Sequence, residues 1–271
     1  QDDALMRRAL EYAGGPGVIL AQHCEVTSLS QGTCMHEGAT SARLGLSGQP
    51  SEAEELMVMR DVALSRLTGT PVHFLHLSTA RSVALVRAAK AAGQAVTAEA
   101  APHHFTLTDD ACGGYDPTFK VHPPLRTDED VAAVKAGLAD GTIDAIATDH
   151  APHTPDSKEL PFDQAPPGML GLEYALALGL TELDLPLHRL IELMSVRPAQ
   201  IARMPEQGRP VAVGEHANLC VIDTAAAWTI DDSGGASRSR NVPYVGRRVS
   251  GRVRHTVCGG EPVVIAGVAQ R

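Results

Sequence analysis

Twelve of the 271 residues are histidine. Two of them, with one aspartate, stand at the ends of apolar runs. His23 follows residues 17–22 (GVILAQ), His76 lies at the end of 71–77 (PVHFLHL), and Asp149 follows 143–148 (IDAIAT). If these runs are strands of one parallel sheet, all three side chains leave the same rim and face one space. Two imidazoles and a carboxylate form a nitrogen and oxygen donor set suited to zinc or a similar divalent ion. A single strand-end histidine is more often a polar residue satisfied by its neighbours. The coincidence of three such residues is what points to metal.

A second cluster is Thr148-Asp149-His150-Ala151-Pro152-His153. It reads either as a capping loop in which Asp149 bonds backbone amides, or as a site loop in which Pro152 stiffens the chain and gives His153 a fixed direction toward a substrate. His103 and His104 follow Pro102 and could be ligands, partners of ligands or loop packing; the second reading is favoured. Residues 120–126 (KVHPPLR) form a rigid loop with cations facing an anion, or a proline-rich loop with solvated charges. His36-Glu37 reads as a solvated loop pair.

The elements that must position these residues follow one order: apolar strand, loop, helix. Ser51 opens a helix with Glu54 three residues on, a capping-box spacing. Leu56, Met59, Ala63 and Leu67 give that helix an apolar face, and Gly69 suits its end. Ser78 or Thr79 caps the next helix, which runs to Lys90 and stops at Gly93. Residues 95–101 are a third strand, and Thr127 caps a helix carrying Val131, Val134 and Leu138. Further helices are expected over about 169–181 and 186–194, and residues 1–12 (QDDALMRRALEY) also read as helix. Alternating strands and helices imply a parallel sheet, and near-continuous apolar strands imply burial on both faces. The ionisable residues then lie at the C-terminal strand ends, where barrels of this class place their chemistry. Beyond residue 205 the helical period is lost and valine-rich strands with glycine turns take over. Residues 231–240 (DDSGGASRSR) read as a polar, flexible loop between them.

Composition narrows the function. Net charge is −9 and aromatic residues are 3%, which argues against a nucleic-acid partner. No apolar run approaches the roughly 18 residues of a membrane helix. Five scattered cysteines without a CxxC pair read as reduced thiols of a cytoplasmic protein.

The motifs together resemble the cyclic amidohydrolases, and among them the bacterial type I dihydroorotases. The resemblance is carried, in order, by HCE at 23–25, MHEG at 35–38, SARLG at 41–45, HLST at 76–79, PHH at 102–104, PPLRT at 123–127, DGTID at 140–144 and TDHAPH at 148–153, with GEHANLCVID in the tail. It implies a partial (β/α)8 TIM-type barrel over residues 1–204 and a β-sandwich subdomain over 205–271. It also implies zinc-dependent, reversible hydrolysis of the cyclic amide of dihydroorotate to N-carbamoyl-L-aspartate in pyrimidine biosynthesis. By similarity, His23 and His76 hold the second of two zinc ions and Asp149 the first, with Asp149 also the proton shuttle. His122, His153, Pro167 and Gly168 match substrate-binding positions, but the family usually has Asn at the position of His122 and Phe at that of Pro167.

The same resemblance implies a homo-oligomer and an association with aspartate transcarbamoylase. The family's His-x-His pair, its bridging carboxylate and its substrate-binding Arg would precede residue 1. The expectation is therefore a C-terminal portion, inactive alone. Two other readings stand beside this one: a non-catalytic dihydroorotase-like partner of aspartate transcarbamoylase, and a related cyclic amidase of the hydantoinase or allantoinase kind.

Overall fold

The structure, a computed structural model, describes residues 2–231 and 235–270. It divides into two compact units, residues 1–172 with 236–243, and residues 173–235 with 244–271.

In the first unit, α1 (Asp3–Gly14) is capped by Asp2, whose carboxylate accepts from the backbone amides of Ala4 and Leu5. Then follow β1 (Leu20–Gln22), α2 (Thr27–Ser30), β2 (Met35–His36), α3 (Ala39–Leu44), β3 (Gly48–Gln49), α4 (Glu52–Thr68), β4 (Val72–Phe74), α5 (Ala80–Ala91), β5 (Val96–Ala100), α6 (Asp128–Asp140), β6 (Ala145–Ile146) and α7 (Pro155–Lys158). β1, β4, β5 and β6 pair in parallel in that order. Parallel strands joined in sequence by helical crossovers make the wall of a (β/α) barrel, as expected. Val72, Phe74, Val96 and Ala98 are buried in one core cluster with Leu10, Met57, Val58, Leu77, Val86 and Ala89, and Ala100 is buried as well. The other strand face is polar: His73 meets Thr97 Oγ1 at 2.8 Å and Glu99 Oε2 at 2.9 Å.

Helix α4 forms where expected but buries a different face. Leu56, Met59 and Leu67 are 46%, 47% and 61% exposed, and Ala63 is exposed too. The buried residues are Ala53, Glu54, Met57, Val58, Asp61 and Ser65, spaced as one helical stripe. Three of these six are polar, so apolar periodicity could not single the stripe out. Thr127 and Asp130 do form the capping box of α6, and Thr79 caps α5 through the amide of Ser82.

The second unit contains α8 (Ala175–Glu182), α9 (Leu187–Ile191), a π-turn at Glu192–Val196, α10 (Arg197–Ile201), β7 (Leu219–Thr229), β8 (Arg248–Cys258), β9 (Glu261–Ile265) and β10 (Val268–Ala269). Its strands form one antiparallel sheet in the order β10-β9-β8-β7. The change from helix to strand expected near residue 205 thus falls between α10 and β7, while the boundary between compact units lies at 172/173. Trp228 on β7 donates from Nε1 to Gly251 O at 2.9 Å, and the guanidinium of Arg252 lies 4.1 Å from its ring centre.

Of the loop expected over 231–240, residues 232–234 lie outside the described residues. Residues 236–243 belong to the first unit, where Asn241 is buried. All five cysteines are free thiols.

Candidate metal and substrate site

His23, His76 and Asp149 each lie one to three residues beyond a strand of the parallel sheet, at its C-terminal rim. His23 Nδ1 and His76 Nε2 point at one another across 3.0 Å. His23 Nε2 faces Glu25 Oε2 at 2.7 Å. A carboxylate only accepts, so Glu25 draws the His23 proton to Nε2 and leaves the Nδ1 lone pair directed at His76. Burial would raise the Glu25 carboxyl, but hydrogen bonds from Ser30 and His23 outweigh it and hold the group below the usual carboxylate range.

His76 is buried, and its Nδ1 finds no hydrogen-bond partner among the described residues. Burial lowers its pKa, against the opposing pull of the nearby Asp149 charge. Two of the residues at this rim carry a left-handed backbone: φ is 29° at His76 and 45° at Asp149. Residues with side chains rarely adopt such angles, and sites of function are where they concentrate.

His103 lies behind Asp149, its Nε2 4.0 Å from Asp149 Oδ2. The ring is fully buried, and neither nitrogen has a hydrogen-bond partner among the described residues. Burial, with the neighbouring His76, pushes its pKa down to about 3. His104, beside it, is likewise held neutral by burial and has Nε2 3.1 Å from Pro123 O.

His122 lies within electrostatic reach of Glu25 and His23. Burial lowers its pKa, opposed by Glu25, and its Nε2 is buried without a partner among the described residues.

The remaining expected residues form a second group. His153 Nε2 donates to Pro167 O at 2.9 Å, and the Gly168 amide donates to Lys120 O at 2.8 Å. Asn241 stitches this group together. Its Nδ2 donates to Ala151 O at 2.9 Å and to Gly168 O at 3.1 Å, and its Oδ1 accepts from the His153 amide at 3.3 Å. Gly168 has φ 133°, and a Cβ there would sit 2.7 Å from both Ala151 Cβ and His153 Nε2. Only glycine lets the two loops close.

Two sequence expectations change. His36 is not solvated: it is buried, and its Nδ1 accepts from Arg126 Nη1 at 3.0 Å. Lys120 and Arg126 are buried too, so they are not solvated loop charges. Lys120 Nζ donates to Asp163 O at 2.9 Å and Arg126 Nη1 to Gln49 O at 3.1 Å. Sequence reasoning also passed over Asn241, whose signal is a lone amide in a polar run, and the orienting role of Glu25, two residues from a candidate ligand.

Among the described residues, no three His, Cys, Asp or Glu side chains are drawn together as a ready metal cage. The donors present nevertheless fit a zinc ion. Two nitrogens bound to tetrahedral zinc stand about 3.3 Å apart, close to the 3.0 Å between His23 and His76. Glu25 holds one of them from behind, as carboxylates commonly do for metal-bound histidine.

The amidohydrolase family profile matches residues 1–263. The chain belongs to the amidohydrolase family. Metal dependence is general among its members. A dihydroorotase of Pelotomaculum thermopropionicum is 50% identical over 265 residues, which are 96% of this chain and 61% of that protein. A dihydroorotase of Streptomyces coelicolor is 47% identical over 270 residues, 98% of this chain and 63% of its own length. Among solved structures, the L-hydantoinase (dihydropyrimidinase) of Arthrobacter aurescens superposes with a TM-score of 0.88 at 26% identity, over 100% of this chain and 62% of that one. The D-hydantoinase (dihydropyrimidinase) of a Thermus species gives 0.86 at 25% identity, with the same coverage. The chain thus spans 61 to 63% of the length of these dihydroorotases. No helix among the described residues is long and apolar enough to cross a membrane.

Proposed function

We propose that this amidohydrolase chain serves dihydroorotase chemistry: the reversible, zinc-dependent hydrolysis of dihydroorotate to N-carbamoyl-L-aspartate in pyrimidine biosynthesis. The observation that carries the reading is 50% identity to a dihydroorotase over 96% of the chain, a stretch that includes the His23, His76 and Asp149 rim. The hydantoinase likeness is one of fold at half that identity.

His23 and His76 would hold one zinc ion and Asp149 a second. Bound zinc lowers the pKa of water toward neutrality and polarises a carbonyl oxygen. Asp149 takes the proton of the attacking water as the new C–O bond forms at the ring carbonyl. It returns that proton to the ring nitrogen as the C–N bond breaks, so no net proton is lost or gained at the carboxylate. His122, His153, Pro167 and Gly168 orient the substrate. The assignment of residues 1–204 to the barrel and 205–271 to a β-sandwich subdomain belongs to the same proposal. So do a homo-oligomeric state, an association with aspartate transcarbamoylase and a cytoplasmic location.

The test uses the full chain of the enzyme with zinc, assayed against dihydroorotate and against a hydantoin. Dihydroorotate should be preferred. Asp149→Asn keeps the shape of the carboxylate but removes the base, so kcat should fall about 10²-fold or more with a smaller change in KM. Preference for the hydantoin, or nearly full kcat in Asp149→Asn, defeats the reading.

A further inference from the structure

Ser51 and Glu54 have the spacing of a capping box, yet Ser51 makes no side-chain hydrogen bond at the start of α4. Glu54 turns inward instead. It is 1% exposed. Its carboxylate accepts from the Ser78 amide, 3.1 Å to Oε1 and 3.2 Å to Oε2, and from the Thr79 amide at 3.2 Å. It also accepts from the hydroxyls of Ser78 and Thr79. Arg126, likewise 1% exposed, reaches the same turn from the opposite side, its Nε donating to Ser78 Oγ at 3.1 Å. The next amide, that of Ala80, donates to Asp130 Oδ1 on α6 at 2.8 Å. Three successive amides after Leu77 are therefore held by carboxylates from two other helices.

This turn begins at His76, whose left-handed φ of 29° aims the ring at His23. Strained backbone persists where its surroundings over-determine it. A buried carboxylate and guanidinium bring little stability compared with apolar residues of the same volume, because both lose water. What they supply is direction: the Ser78 hydroxyl donates to Glu54 and accepts from Arg126, so it can take up only one orientation.

We propose that Glu54 is the positioning residue for His76. Its carboxylate, linked through Ser78 to Arg126, fixes the turn that presents the imidazole to metal. This rests on the reading of His76 as a metal ligand.

The experiment compares the full chain with Glu54→Gln, Ser78→Ala and His76→Ala. Zinc affinity is measured by chelator competition, the visible spectrum is recorded after cobalt(II) loading, and thermal unfolding is followed in the metal-free proteins. Glu54→Gln keeps the size of the side chain but turns an NH2 toward N–H donors. Zinc affinity should fall about 10- to 100-fold, the range seen when a partner of a metal ligand is lost, and the cobalt spectrum should change. A folded Glu54→Gln protein with unchanged affinity and spectrum overturns the proposal. So does one that loses only thermal stability, since that is the mark of a merely structural role. If Glu54→Gln does not fold, Ser78→Ala decides: the cobalt spectrum should shift, and an unchanged one overturns the proposal. His76→Ala separates the two readings. Metal loss there with none in Glu54→Gln defeats only the positioning role, whereas metal retained in His76→Ala defeats the ligand assignment and the proposal with it.

Discussion

At the residue scale, His122 stands where the resemblance to dihydroorotases implies an asparagine. An amide offers a donor and an acceptor at every pH, whereas imidazole offers both only when neutral. Burial lowers the pKa of His122, so it is neutral at pH 7 and gains its proton only below the ordinary histidine range near 6.5. Substrate affinity should therefore hold above pH 6.5 and fade as the solution is made more acidic. His122→Asn should remove that acid limb from the pH profile of KM. An unchanged profile in the variant would show that the imidazole takes no part in binding. The placing of His23, His76 and Asp149 at one rim was legible in the sequence because each stands at the end of an apolar run, and the run fixes which rim the residue occupies. Glu54 was not legible. Its spacing from Ser51 matched a local capping pattern, but the partner it found lies 24 residues away at Ser78.

At the element scale, two loops meet at Gly168. Its amide reaches Lys120, its carbonyl accepts from Asn241, and its missing Cβ leaves room for His153. Gly168→Ala would place a methyl group 2.7 Å from His153 Nε2 on a backbone with φ 133°. The His153–Pro167 hydrogen bond should break, with a loss of about 1–3 kcal/mol in stability. Because the displaced groups are those assigned to substrate, KM should rise more than kcat falls. Steady-state kinetics beside a thermal melt would check both, and a variant with wild-type KM would remove this strap from the substrate site. At the same scale, α4 forms over the expected residues but buries a face that apolar spacing does not pick out. Sequence periodicity weighs apolar side chains, while this helix buries Glu54, Asp61 and Ser65 for their polar contacts. Ser65, for one, donates to Thr70 O at 2.8 Å. Asn241 was out of reach for another reason: it joins loops 73 to 90 residues distant in the chain.

At the scale of the whole molecule, buried histidines tie stability to pH. His103, its pKa near 3, and His104, held well below the ordinary value, stay neutral in the fold because burial disfavours their charged forms. The unfolded chain protonates both below about pH 6.5. Their folded pKa values are depressed, so the stability is intact above 6.5 and is lost as pH falls toward 3. The slope is about 1.4 kcal/mol per pH unit for each histidine. Urea unfolding at pH 7, 6 and 5 should show the decline, and His103→Leu should lessen it by one histidine's share. Equal slopes in the two proteins would mean that His103 is already charged when folded. The division into two units adds an optical consequence. Trp228 is the single tryptophan of the chain, and it lies in the second unit beneath the Arg252 guanidinium. Indole fluorescence therefore reports on the second unit, where the ring lies 6.5 Å from that of Tyr174. Followed beside far-ultraviolet ellipticity, which sums over every helix, it would tell an observer whether the two halves of this molecule melt together or in turn.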